Sequence, residues 1–484
     1  MPRPAPPPAP SWDTRRCRPY DCRISGIALA DLRRRHPRLT YDSYSITSGP
    51  ELRIVFQFTL EPDVIFRPEI RIPNPGPLPK AADLERLVFH LGLVEAISYW
   101  KAACPPQFVV RAGGLSEDQK AWWTDLFIHG LGEFFYTNGI DFTSREFLTI
   151  VSDAGGDGDV RTTTQTAGSL VLSGGGKDSA VTLELLRNSA EHIGALVLNP
   201  IEAACSAVEV AGYPGPILVK RTIDPKLLEL NAAGYLNGHT PFSAYLAFLG
   251  VLVGVLHGYR NVIVSNERSA GEENVMFHGM HVNHQYSKSL RFEARFRQYA
   301  ARYLTADVEY YSFLRPLYDL RCTQLFSRYP RHHLSFRSCN VNQKLGSWCG
   351  RCAKCAFVYV SLVPFVGYEQ ALRIFGGDFL ADDTVAGHLR AMTGVELHKP
   401  FECVGTVNET ILALYLTVET YGRSGIETPD ILKELQSKLN LSPGAVHQLA
   451  REILGSWSPD HYLPASHEEI LHRAHRDVPV QWIA

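Results

Sequence analysis

Residues 169–179 read SLVLSGGGKDS, a short apolar run that ends in three glycines and passes through Lys177 and Asp178 into the helical pattern SAVTLELLRNS at 179–189. A strand that turns through glycines into a helix aims backbone N–H groups and the positive end of the helix dipole at an anion. Glycine lets that backbone come close to phosphate oxygens, because no side chain stands in the way. The expected phosphate-binding set is Ser173, Gly174, Gly175, Gly176, Lys177, Asp178 and Ser179, with Lys177 adding charge and either serine a hydroxyl. The bland alternative is a structural glycine turn. Two familiar nucleotide motifs fail on spacing: a Walker-type loop needs Ser or Thr directly after Gly-Lys, where Asp178 stands. A dinucleotide fingerprint needs a third glycine at Ser179. A carboxylate beside phosphates repels them unless a divalent cation lies between, so Asp178 implies Mg²⁺.

Outward from this loop, IGALVLN at 193–199, PILVK at 216–220 and NVIVS at 261–265 are three further strand-like runs spaced by helical segments. That alternation predicts an α/β fold with a mostly parallel sheet and crossover helices. The apolar stretch FSAYLAFLGVLVGV at 242–255 falls short of the roughly 20 residues a membrane span needs, and its place between a turn and a strand fits a buried helix. In GHTP, residues 238–241, Thr240 is the expected N-cap and Pro241 the first helical residue. Upstream, residues 24–158 mix β-like runs (52–58, 67–72) with the aromatic helical stretches LGLVEAISYW and AWWTDLFIHGLGEFFYTN, an expected α+β domain. Its tryptophans are expected in the core, with a stacking role toward a sugar or base as the alternative. Glycine-rich SDAGGDGD, 152–159, reads as a linker, 159–364 as the α/β domain that carries the glycine loop and the cysteine cluster, and 365–484 as a helical region with helices starting near Pro429 and Pro443.

The 484 residues suggest about three domains, and 45% apolar with 20% charged residues is ordinary globular composition. A net charge of −2 argues against wrapping by nucleic acid. The proline-rich residues 1–23 read as a disordered tail without the apolar core of a secretory signal, and a cytoplasmic location with no membrane partner follows as the expectation. Four of the ten cysteines crowd into Cys339, Cys349, Cys352 and Cys355. Two consecutive C-x2-C steps aim thiolates at one centre, as structural Zn²⁺ takes them; an iron–sulfur cluster is the rival and unliganded thiols the bland alternative.

After the fourth strand comes a polar run with Asn266, Glu267, Arg268, Asn274, His281, His284, Lys288 and Glu293. Ligands of open parallel sheets bind beyond the carboxyl ends of the strands, so this run is expected to face the nucleotide, with Asn266 in its binding set. Structural ion pairs and caps are the alternative for each charged member. Cys403, in HKPFECVG at 398–405, is either a buried apolar cysteine or a site residue.

The glycine loop resembles the Ser-Gly-Gly-x-Asp-Ser signature of the PP-loop ATP pyrophosphatase superfamily, whose ATP-binding domain is adenine nucleotide alpha-hydrolase-like. Here Gly174 occupies the position of the signature serine and Ser173 precedes it. The resemblance implies that ATP is cleaved between its α and β phosphates and AMP is placed on a substrate oxygen. The cysteine spacing resembles the zinc knuckle of 7-cyano-7-deazaguanine synthase. Taken together, LGLVEAISYWK, GLGEFFYTNGIDF, GGGKDS, NGHTPFSA, SNERSA, NHQYSKS, WCGRCAKCAFV and HKPFECVGT resemble the ATP-dependent UDP-N-acetylmuramoyl-L-alanyl-L-glutamate epimerases of bacterial cell-wall synthesis. That resemblance implies ATP and Mg²⁺ dependence, a small-molecule UDP-muramoyl dipeptide as substrate, and inversion at the α-carbon of its terminal glutamate.

The chemistry agrees with such a loop. Loss of the α-proton beside a free carboxylate places a second negative charge next to the first, and esterification with AMP removes that obstacle. Each unit of acidity gained lowers the deprotonation cost by about 1.4 kcal/mol. Candidates for the proton transfers are Glu267, His281, His284, Lys288 and Cys403, with His284 paired against Glu267 or Cys403 across the substrate. Arg268 suits a substrate carboxylate or phosphate through its two-pronged guanidinium. Two other readings are an ATP-dependent enzyme modifying RNA or a deazapurine, and a sensor that holds ATP without turnover.

Overall fold

The computed structural model describes residues 26–153, 166–187, 189–396 and 399–479. The proline-rich tail and most of the glycine-rich stretch 152–159 therefore lie outside the described residues. In chain order the strands are β1 (Arg38–Thr47), β2 (Glu51–Leu60), β3 (Val64–Phe66), β4 (Glu69–Pro73), β5 (Gln107–Val110), β6 (Thr149–Ser152), β7 (Ser169–Leu172), β8 (Ile193–Leu198), β9 (Ile217–Thr222), β10 (Asn261–Val264), β11 (Val275–Phe277), β12 (Met280–Val282) and β13 (Glu309–Ser312). Eleven of them share one sheet in the order β13-β10-β7-β8-β9-β4-β2-β1-β5-β6, with β3 on β2. Strands β13, β10, β7, β8 and β9 run parallel, as do β1, β5 and β6, while β1, β2, β4 and β9 pair antiparallel. The fold is α/β with a mostly parallel central sheet.

Residue pattern explains each half. β7 and β10 are buried along their whole length. Leu170, Leu172, Val262 and Val264 enter one core, and Val171 and Ile263 enter the other. Side chains alternate across a strand, so a strand covered on both faces reads as an unbroken apolar run. β2 differs: Leu52, Ile54, Phe56, Phe58 and Leu60 are buried and the residues between them are more exposed, as in a one-sided sheet. One core packs this sheet against the helices Ala81–Trp100, Glu117–Gly130, Phe242–His257 and Leu290–Tyr303. The other core holds the helices Lys177–Leu186, Asp319–Phe326, Ala353–Val366 and Val407–Arg423.

Residues of the two regions on either side of position 158 meet edge to edge, Ile70 of β4 opposite Arg221 of β9. From Ala353 to Arg476 the described regular elements are helical. The helix 242–257 starts one residue later than its sequence predicts: Pro241 is its N-cap and no side chain caps it, so Thr240 does not have that role. Trp100 and Trp123 are fully buried in the core, and Trp122, partly buried, packs against it 4.3 Å from the ring of Tyr299. Among the described residues no helix is long and apolar enough to cross a membrane.

Candidate active site

From β7 the chain builds β8 and β9 on one side and β10 and β13 on the other. The order reverses between β7 and β10, and where connections leave in opposite directions a crevice opens beyond the carboxyl ends of the strands. A cavity of about 310 Å³ lies there. Its lining includes Ser173, Gly174, Gly176, Asp178 and Ser179 after β7, and Ser265 and Asn266 after β10. Leu196, Leu198, Phe242 and Leu246 form an apolar wall; Lys288, Lys354 and Cys403 lie on the polar side.

The glycine loop is shaped from within. Gly175 has φ of +76°, and a Cβ there would stand 2.5 Å from the backbone of Ala203 and Ala204. Gly174 has open space at the same position, so the loop presses Gly175 into the fold and turns Gly174 to the cavity. Gly176 caps the helix that starts at Lys177, leaving first-turn N–H groups at the cavity mouth. Ser173 Oγ donates to the Ala204 carbonyl at 3.2 Å and Ser179 Oγ to the Gly176 carbonyl at 3.0 Å.

Lys177 departs from expectation. Its ammonium is buried 2.5 Å from Asp178 Oδ1 and 2.9 Å from Asp319 Oδ1, and the residue does not line the cavity. Burial disfavours that charge, but the two carboxylates hold it protonated. Lys177 thus neutralises the buried Asp319 and fixes the partly exposed Asp178 at the rim.

Across the cavity Lys288 Nζ donates to Cys403 Sγ at 3.1 Å, and His284 Nε2 is 3.7 Å from the same sulfur. His284 Nδ1 lies 2.5 Å from Glu133 Oε2, so both ring nitrogens are engaged. Burial by itself would push the Cys403 thiol up, but Lys288, His284 and Lys354 overcome it and bring the thiol down to about 5. Burial likewise opposes the imidazolium of His284, and its hydrogen bonds to Cys403 and Glu133 raise it to about 9. Lys288 is held protonated against burial by Cys403 and Glu267. Near neutral pH the cluster is a thiolate between two cations.

Its geometry is set by buried scaffolding. Arg315, paired with Glu293 at 2.9 Å, donates to the backbone carbonyls of Glu267 (2.7 Å) and Lys288 (2.5 Å). Asn274 accepts from the His284 N–H at 2.9 Å and donates to the Pro400 carbonyl at 3.0 Å, tying the His284 segment to the segment bearing Cys403. Lys354 donates to the Cys403 carbonyl.

Other expected residues stand apart. Glu267 is buried outside the cavity lining; burial and then Asp319 and Asp178 push it up to about 7. Arg268 is exposed with its guanidinium 4.5 Å over the Tyr318 ring, outside the cavity. His281 is exposed in the β11–β12 hairpin, paired with Glu273. The pairing of His284 against Cys403 across a substrate is corrected, because groups in contact cannot flank an α-carbon. Cys403 is not a merely apolar buried cysteine. Sequence reading missed Glu133, Arg337, Ser338 and Lys354; the spacing of Lys354 between Cys352 and Cys355 was the available signal.

Cys339, Cys349, Cys352 and Cys355 place their sulfurs within 4.8 Å of one another. Backbone N–H groups of Asn342 and Cys349 donate to Cys339 Sγ, those of Arg351 and Cys352 to Cys349 Sγ, and that of Cys355 to Cys352 Sγ. Four convergent sulfurs supplied with N–H donors are a donor set that suits a tetrahedral thiophilic cation.

Residues 31–313 match the family described as the MurL N-terminal domain, and residues 335–443 the MurL C-terminal domain. The chain is 36% identical to the UDP-N-acetyl-alpha-D-muramoyl-L-alanyl-L-glutamate epimerase of a Micromonospora species, over 80% of this chain and 88% of that protein. It is also 36% identical to proteins of the same name from Salinispora tropica (80% and 86%) and Xanthomonas oryzae pv. oryzae (69% and 75%). No solved structure matches the chain.

Proposed function

The chain belongs to the MurL family of epimerases, and from that premise we propose that it inverts the terminal glutamate of UDP-N-acetylmuramoyl-L-alanyl-L-glutamate by way of a glutamyl adenylate. It is an isomerase, placed in peptidoglycan precursor synthesis. The observation that carries the reading is a single cavity shared by the glycine loop and the Lys288–Cys403 pair. Nucleotide activation and carbon-acid chemistry then take place on one substrate without its release.

ATP is a second substrate here, and the cavity suits it as a PP-loop site would. The apolar wall of Leu196, Leu198, Phe242 and Leu246 offers a face to the purine. The N–H groups around Gly174 and Gly176 face the leaving pyrophosphate, whose charge grows as the bond breaks. Asp178 is the carboxylate positioned to hold Mg²⁺, with Lys177 on its other side. That cation, when bound, neutralises charge on the phosphates. Lys288 and Lys354 face the glutamyl carboxylate and then the carbonyl oxygen that gathers charge when the α-proton leaves. His284, held by Glu133 and next to the cavity-lining Cys403, is the group assigned to move that proton. Structural Zn²⁺ fits the four-cysteine set, in which Cys352 caps the helix Ala353–Val366 and Cys355 lies in its first turn, so that Lys354 stands between two of the ligands.

The reading is tested by incubation with ATP, a magnesium salt and UDP-N-acetylmuramoyl-L-alanyl-L-glutamate in deuterated water. Deuterium at the glutamate α-carbon, D-glutamate on hydrolysis, and pyrophosphate and AMP in equal amounts are expected. Inversion without pyrophosphate overturns the adenylate, and unchanged L-glutamate without deuterium overturns the whole reading.

A further inference from the structure

We propose that Cys403 takes the glutamyl group from AMP as a thioester, and that the α-proton is lost from this thioester rather than from the adenylate. The inference rests on the adenylation reading above and deepens it. Cys403 lines the same cavity as the glycine loop. Lys288 is 3.1 Å from it and His284 Nε2 3.7 Å, with Glu133 2.5 Å from His284 Nδ1. Nucleophile, base and orienting carboxylate in that sequence are the arrangement of an activated thiolate. The same contact rules out the other obvious duty: two groups serving opposite faces of one carbon stand roughly 6 Å apart, about 3 Å on each side. Cys403 and His284 are closer than that, so they share a face, and of the two the sulfur is the stronger nucleophile.

The steps balance. A lone pair of Sγ forms the bond to the acyl carbon, the acyl C–O bond breaks, and its electron pair leaves on the AMP phosphate. Acylation removes the thiolate charge that sustains the His284 imidazolium, and His284 passes its proton to the departing phosphate. Neutral His284 then takes the α-proton, while Lys288 and Lys354 face the enolate oxygen. Sulfur donates little electron density into the carbonyl, so this proton is more acidic than one beside a carboxylate. Water entering through the cleft protonates the opposite face, and its hydroxide takes the proton held by His284. A further water attacks the thioester carbonyl and gives one proton to His284; the C–S bond breaks with its pair on sulfur, the product carboxyl releases the other proton to solvent, and the thiolate and imidazolium are restored. The net reaction consumes ATP and one water and releases AMP, pyrophosphate and the epimer.

The test mixes wild-type protein with ATP, a magnesium salt and UDP-N-acetylmuramoyl-L-alanyl-L-glutamate, quenches in acid over a time course, and weighs the intact protein. The expected species is heavier by the substrate less one water, maps to the peptide containing Cys403 and is released by hydroxylamine. Cys403→Ala is expected to keep its circular dichroism spectrum and release one burst of pyrophosphate per chain. It should give no adduct and no α-deuterium. A quench that shows pyrophosphate and α-deuterium but no adduct overturns the thioester alone, and needs no variant. So does Cys403→Ala exchanging deuterium at the wild-type rate. Absence of pyrophosphate from the wild type overturns the adenylate and the thioester with it.

Discussion

A thiol 3.1 Å from one ammonium and 3.7 Å from an imidazolium ionises far below the usual thiol range. For Cys403, with its ionisation brought down to about 5, the reactive thiolate persists above that pH and is lost as pH falls through it. The alkylation rate of Cys403 with iodoacetamide, taken as wild type minus Cys403→Ala, is therefore expected to be flat from pH 6 to 8 and to halve near 5. Lys288→Met removes the nearer cation and is expected to move the midpoint upward by about one unit or more, in proportion to the lost interaction at 1.4 kcal/mol per unit. A wild-type midpoint in the ordinary thiol range contradicts the cluster as drawn. Little of this was legible locally. The cluster around the Cys403 sulfur is assembled from afar: Lys288 comes from 115 positions away, and Glu133 reaches His284 across 151. A lone cysteine in a sequence reads as apolar because its partners are set by topology, whereas four cysteines at short spacings announce one another.

At the scale of elements, the strand–glycine–helix unit was legible because its constraints are local. β7, β8, β9 and β10 are apolar runs bounded by turn residues, and all four fall where the pattern put them. β13, sequence EYYS, and the hairpin β11–β12 were hidden, since tyrosines and polar residues carry no clear period and the hairpin is short. Within the glycine loop the three glycines are not equivalent. Alanine at Gly175 needs a left-handed backbone and a Cβ 2.5 Å from backbone atoms of the helix Glu202–Val210, which have no freedom to yield. Gly175→Ala is expected to cost about 1–3 kcal/mol. Alanine at Gly174 meets nothing within 4 Å and is expected to leave stability unchanged while its methyl intrudes on the phosphate path. Urea unfolding of both variants, with pyrophosphate release measured alongside, separates the two; equal stability losses would mean the loop is not seated as described.

For the whole molecule the decisive junction is β4 against β9, where a sheet built from one-sided antiparallel strands continues into one buried on both faces. Sequence reading separates these regions because their patterns differ, and pairing between strands 150 positions apart leaves no local trace. The junction is locked by charge as well as by hydrogen bonds. Arg221 of β9 reaches Glu95 on the helix Ala81–Trp100 with two contacts of 2.7 Å, and its guanidinium lies 4.6 Å over the ring of Tyr245 on the helix Phe242–His257. Glu95 is buried, and Arg221 keeps its proton because that carboxylate outweighs the burial that opposes it. Removing one member of such a pair strands the other's charge away from water, at a cost of about 3–5 kcal/mol. Glu95→Ala is thus expected to lose that much stability, and Glu95→Ala with Arg221→Ala to lose clearly less than the sum of the two single changes, since the second change removes the stranded charge. Tryptophan fluorescence, reporting the first core through Trp100 and Trp123 and the second through Trp348 and Trp457, and far-ultraviolet circular dichroism, reporting the helices throughout, are expected to follow one urea transition in the wild type. If the two signals separate in the wild type, or if the single changes simply add, the regions are independent bodies and the shared sheet does not couple them.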